Sequence, residues 1–419
     1  MLTACSSQKP ATSSEHTISK PNIWVISDMV DPRDDGPYGN EKSDPDDVAA
    51  MASLLLNANR YHIQTIVVGA GGQRNLLDPI PFTQDVLLAA YEHDRVGMNK
   101  RFPGFQETVH FEWSSRNKNR LRDNKFHREK NYSDLNQLES IQAFVDYAKN
   151  NKVYLLNWGP MTDAAITVKH LLDVGDKKTL SNIVIVSHWT QSYVKGTQEN
   201  AIRVKVERKE SKVANCWVDL AACEYVHDMA QEHPELKFYE LGSVGQTGLV
   251  ENSGRFEPMQ DFHNSRLGQI FISAKYKKWP DQSDAASHFV LNPELGVGLS
   301  HFNDNGTLNE EIERANIQRF SDASLTIMQD LLNRTKAAHS EPFTKSFMAS
   351  VFINPYYKWG RYAIYSPYAA PYTVYDSRGK EVASGTLNIG DTALKLPKIE
   401  EHGYRVEIDL GGEPLSMKM

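Results

Sequence analysis

Only three cysteines occur in 419 residues, which excludes a small scaffold stapled by disulfides. No apolar run reaches the roughly 18 residues that would cross a bilayer as a helix. The net charge of −7 provides no general attraction to nucleic acid, although residues 116–130 hold a basic cluster (Arg116, Lys118, Arg120, Arg122, Lys125, Arg128, Lys130). That cluster reads as a solvated loop. What is present is ordinary globular material, 40% hydrophobic and 24% charged, enough for one large or two smaller domains.

The N-terminus departs from this. Leu2-Thr3-Ala4-Cys5 resembles a bacterial lipobox, in which the cysteine becomes the lipid-bearing first residue, and the polar stretch that follows reads as its tether. Residues 1–20 are therefore expected to anchor the protein in a bacterial cell envelope, with the lipid as its only membrane contact. Cys216 and Cys223 lie at the start of an expected helix, too far apart along it for a disulfide, and are expected as buried free thiols.

From residue 21 to 340 short β-branched runs alternate with amphipathic ones. Strands are expected at 23–27, 63–69, 153–157, 183–187 and 236–241, and helices at 47–56, 83–91, 135–149, 162–172, 218–231 and 308–337. Such alternation predicts an α/β domain, a mostly parallel sheet with helices on both faces, whose ligands bind at the carboxyl ends of the strands. Residues 341–419 change to short alternating runs rich in tyrosine, which predicts a small β-sandwich-like accessory domain.

Two acidic pieces stand out within the first domain. Asp28 closes the first apolar run, and Asp44, Asp46 and Asp47 open the following helical stretch. Crowded carboxylates repel one another, and a hard divalent cation such as calcium relieves them. Helix capping and the helix dipole account for part of the same pattern. An EF-hand is excluded, because Arg33 occupies a ligand position and Lys42 stands where the closing glutamate belongs.

Other strand ends carry polar groups too. The Gly159-Pro160 turn leaves the carbonyl of Trp158 as a neutral oxygen donor, and His188 and Trp189 follow the next strand, the imidazole being suited to protonate a leaving group. Asn215, Asp219 and Asp284 stand at or near helix starts, where each also reads as a cap. Glu112, Gln191 and Trp113 are further polar and aromatic groups available to a pocket.

Taken in order, these motifs resemble the nucleoside hydrolase superfamily, and within it the nucleoside hydrolase-like branch of secreted, sometimes cellulose-binding-annotated bacterial proteins with an added β domain. The matching residues are Asp28, the pair Asp46-Asp47, the turn 159–163, and Asn215 followed by Asp219-Leu220-Ala221-Ala222. The resemblance implies a calcium-dependent glycosidase acting on a small-molecule or oligosaccharide substrate, with a homo-oligomer as the family's habit. It implies that Asp28, Asp47, Asp284 and the Trp158 carbonyl bind calcium, that Asp28 is also the base, and that Asp46 and Asn215 hold sugar hydroxyls. Trp189 is expected to stack on the substrate and His188 to serve as acid. Ala70, Val213 and Ser283 replace an asparagine, a glutamate and a histidine of the family, so a plain ribonucleoside is not the expected substrate. The alternative function is a non-catalytic carbohydrate-binding lipoprotein with a structural metal site.

Overall fold

The computed structural model describes residues 20–33, 45–72, 77–121, 123–194, 213–276, 279–358, 361–396 and 403–419. The expected lipid anchor at Cys5, its tether as far as residue 19, Asp44 and Arg122 lie outside the described residues.

Strands β1 (Asn22–Ile26), β2 (His62–Val68), β3 (Phe111–Trp113), β4 (Val153–Asn157), β5 (Ile183–Ser187) and β6 (Lys237–Glu240) form one sheet in the order β3-β2-β1-β4-β5-β6. All neighbouring pairs in it are parallel. Side chains alternate between faces along a strand, so a sheet covered on both sides needs apolar residues in both phases. β1 shows why. Ile23 and Val25 enter one core with the helices Pro45–Leu56, Arg266–Ser273 and Glu310–Ala338, whereas Trp24 and Ile26 enter a second with Glu139–Ala148, Thr162–Asp173 and Leu220–Glu232.

Cys216 and Cys223 correct the expectation of free thiols: they form a disulfide, with Cα atoms 5.1 Å apart. One unbroken helix would separate them by about 10 Å along its axis. The chain instead breaks between the helices Ala214–Trp217 and Leu220–Glu232, where Asp219 leaves helical geometry at φ −141° and caps the second helix. Arg116 is a second correction. It is buried rather than solvated, its guanidinium pairing with Asp163 and donating to the carbonyls of Asn124 (2.5 Å) and Ala70 (2.7 Å).

A short pair, β7 (Lys275–Tyr276) and β8 (Trp279–Pro280), precedes the long helix Glu310–Ala338 and the helix Lys345–Phe352. Beyond them β9 (Asn354–Lys358), β10 (Arg361–Ser366), β11 (Ala370–Tyr375), β12 (Glu381–Leu387), β13 (Gly390–Leu394), β14 (Arg405–Ile408) and β15 (Leu415–Lys418) make two antiparallel sheets, ordered β13-β10-β9 and β12-β11-β14-β15. Ile364 and Leu394 from the first sheet share a core with Val374, Leu387, Val406 and Ile408 from the second. The helix Lys345–Phe352 serves both parts of the molecule. Met348, Val351 and Phe352 pack into the parallel-sheet core, and Ala349 packs into the core of the antiparallel sheets.

Candidate functional site

Register sets the rim of the parallel sheet. Ile26, Asn157, Ser187 and Glu240 stand in one row across β1, β4, β5 and β6. The residues that follow them, Ser27-Asp28, Trp158-Gly159, His188-Trp189 and Leu241, therefore leave the sheet along one edge. Strand order reverses between β1 and β4, and open α/β sheets bind ligands in the crevice outside that point.

Asp28 lies at the reversal, half-buried. A Cβ on Gly159 would fall 2.5 Å from its Oδ1, and one on Gly71 would fall 3.2 Å from its Cβ. Two glycines from neighbouring strand exits thus make room for this carboxylate. Ser27, directly before it, donates from Oγ to Asp47 Oδ1 at 2.5 Å and accepts from the amide of Met29 at 3.0 Å. That bond fastens the helix Pro45–Leu56 to the end of β1, and it engages the buried Asp47.

Asp46 is only partly buried. Its Oδ1 accepts from the Asp47 amide at 3.0 Å and its Oδ2 from Ser283 Oγ at 3.3 Å. It belongs to the one gathering of potential metal ligands found among the described residues: one donor atom each from Asp46, His188 and Asp284, all within 4.8 Å of one another. Asp28 and Asp47 are not members of that group. Trp158 is tied to it from behind, its indole donating to Ser287 Oγ (2.6 Å), which donates to the Asp284 carbonyl (2.7 Å).

His188 is held through its backbone, its amide donating to the Asn157 carbonyl (3.1 Å) and its carbonyl accepting from Asn215 Nδ2 (3.1 Å). The next residue, Trp189, turns the chain with φ +52°, a left-handed conformation that non-glycine residues seldom adopt and that surrounding structure must hold in place. Its indole nitrogen is buried and has no hydrogen-bond partner among the described residues. Asn157 Oδ1, at the row of strand ends, is likewise a buried acceptor with no partner among the described residues, while its Nδ2 donates to the Gly159 carbonyl (2.5 Å). Asp219 lies behind the rim, accepting from Thr162 Oγ1 (2.8 Å) and the Phe126 amide (2.9 Å).

Two buried glutamates brace the loops around His188, and sequence reasoning passed over both. Glu240 accepts from the amide of Thr190 at 3.3 Å, from Thr190 Oγ1, and from the amide of Gly242 at 2.8 Å. Desolvation pushes its carboxyl up to about 8, so it stays protonated at neutral pH. Glu313, on the long helix Glu310–Ala338, accepts from Ser192 Oγ (2.7 Å) and from the amides of Tyr193 (2.6 Å) and Ser243 (2.9 Å). An acidic residue ending an apolar strand was the signal that singled out Asp28, and Glu240 carries the same signal.

The donors gathered here suit a divalent cation, since two carboxylates beside an imidazole supply charge and lone pairs at short range. They do not form the all-oxygen cage that calcium prefers.

No protein-family model and no curated protein matches the chain. In structure it is similar to a nucleoside hydrolase-related protein from Saccharophagus degradans associated with carbohydrate metabolism, at 13% identity and a TM-score of 0.45, over 95% of this chain and 98% of that one. It is also similar to a purine-preferring ribonucleoside hydrolase from Gardnerella vaginalis, at 12% identity and a TM-score of 0.35, over 73% of this chain and 100% of that one.

Proposed function

We propose that the protein hydrolyses an N- or O-glycosidic bond of a small sugar-bearing molecule, with Asp28 as general base. The observation that carries this reading is the placement of Asp28: partly exposed, at the strand-order reversal, with Gly159 and Gly71 clearing the space around its carboxylate. A carboxylate so placed takes a proton from a water in the crevice as that water attacks the anomeric carbon and the leaving group departs. Negative charge at the rim favours the oxocarbenium-like transition state of such a reaction. A divalent ion bound by the neighbouring carboxylates would supply acidification of water. Asn215 and Trp189, one braced on the His188 carbonyl and the other set beside it, are proposed to face the sugar.

The same reading places the protein in the bacterial cell envelope, anchored through Cys5. The Cys216–Cys223 disulfide supports an oxidising compartment.

The test is a divalent-metal-supplemented screen of nucleosides and oligosaccharides with the wild-type chain and Asp28→Asn. Wild type should release sugar from at least one glycoside. The variant should lose roughly 10²–10⁴-fold in turnover, the usual share of a general base, with its melting temperature kept. Unchanged turnover would remove Asp28 as the base. Glycan binding without cleavage of any glycoside would favour the non-catalytic carbohydrate-binding reading.

A further inference from the structure

We propose that Asp46, His188 and Asp284 bind a divalent first-row transition ion, with His188 as its nitrogen ligand rather than as a proton donor. The inference rests on the site proposed above but not on its reaction. The three residues come from separate segments: the start of the helix Pro45–Leu56, the exit of β5, and the short 3₁₀ turn Ser283–Ala285. Only tertiary packing brings their donor atoms within 4.8 Å.

Each segment is held independently of any ion. His188 is fixed at both backbone ends by Asn157 and Asn215. Its ring lies against Gly245, where a Cβ would fall 2.9 Å from Cε1 and 2.1 Å from the carbonyl oxygen of Ser283. Glycine at 245 thus allows the imidazole and the Asp284 turn to close on each other. Asp284 is anchored through its carbonyl by Ser287, and Asp46 receives the hydroxyl of Ser283.

Chemistry then narrows the ligand. His188 and Asp284 are 0% and 1% exposed, so water screens the Asp284 carboxylate poorly and a dication shared with the partly buried Asp46 offsets the repulsion between them. An imidazole nitrogen with two carboxylate oxygens suits zinc, iron or manganese, whereas calcium takes six to eight oxygens. Three side-chain donors of this kind, among the described residues, leave coordination positions for a backbone carbonyl, water or substrate.

The experiment measures binding, not turnover, on the full chain after chelator treatment. Zn²⁺, Mn²⁺ and Ca²⁺ are titrated calorimetrically into wild type, His188→Gln, Asp284→Asn and Asp46→Asn, the last being the partly exposed position least exposed to folding failure. Zn²⁺ should bind with one equivalent per chain, about tenfold or more tighter than Ca²⁺, and each variant should weaken it by about tenfold or more. Cu²⁺-loaded wild type should show nitrogen hyperfine coupling in its paramagnetic resonance spectrum, and His188→Gln should lose it. Zn²⁺ affinity that is indifferent to His188→Gln, or a wild-type spectrum without nitrogen coupling, overturns the proposal. Binding through His188 with no glycoside cleaved would sink the hydrolase reading alone. Cleavage with His188-independent binding would sink this one alone.

Discussion

Glu240 shows how a single residue couples the rim to pH. Its carboxyl is fully buried at the end of β6, and burial raises it from an ordinary 4.5 to about 8. Below pH 4.5 the group is protonated whether the chain is folded or unfolded, and its contribution to stability is fully present. Between 4.5 and 8 the unfolded chain releases the proton and the folded chain keeps it, so stability falls as pH rises through that window. Glu240→Gln keeps the shape without the titration. The melting temperature of the variant should therefore gain on wild type between pH 5 and pH 8, and a constant difference across that range would show that Glu240 does not titrate as described. The residue was readable as an acid ending a strand. Its burial was not, because that depends on the loop 188–194 folding over it.

At the scale of elements, the exits of neighbouring strands act on one another. Gly159 follows β4, yet the group it protects follows β1: a methyl at 159 would intrude on Asp28 Oδ1 at 2.5 Å. Gly159→Ala should therefore displace the proposed base and cut glycoside turnover about a hundredfold, with stability changed far less, as kcat beside thermal melting would show. A fall in stability matching the loss of activity would instead mean that β4 itself had shifted. Central strands and the helices between them were legible, since their hydrophobic periods are local. The edge strand β3, three residues long, was not. Nor was the helix break at Asp219, which turned two cysteines expected as free thiols into a disulfide. Arg116 was misread for a related reason: its partner Asp163 comes from the helix Thr162–Asp173, which charge counting along residues 116–130 cannot see.

The whole molecule is joined more closely than a border at residues 340 and 341 suggests. Beyond that border the helix Lys345–Phe352 places Met348, Val351 and Phe352, all nearly fully buried, in the core of the parallel-sheet part. Tyr365 Oη, from β10, also donates to the Ser273 carbonyl, a second tie across the same junction. Cutting the chain after residue 340 removes three buried apolar side chains, worth roughly 1.5–3 kcal/mol each by transfer, and exposes what they covered. That fragment should aggregate or melt well below the full chain, whereas one ending after residue 353 should remain soluble. Expression of both fragments with light scattering and thermal melting makes the comparison, and equal behaviour would mean that the helix is dispensable to the first core.

Sequence alone determined the α/β alternation, the β-rich C-terminal part and the position of Asp28 at a strand end, because periodicity and strand-end polarity are properties of neighbouring residues. It also singled out Asp46, His188 and Asp284 one at a time, though in different roles. Tertiary structure decided which of them meet. The parallel register aligns the ends of β1, β4 and β5, the packing at Gly245 brings His188 to the Asp284 turn, and Ser27 ties Asp47 to the end of β1. Contacts between residues so distant along the chain leave no period or spacing to read, and so the donor set became visible only in the fold.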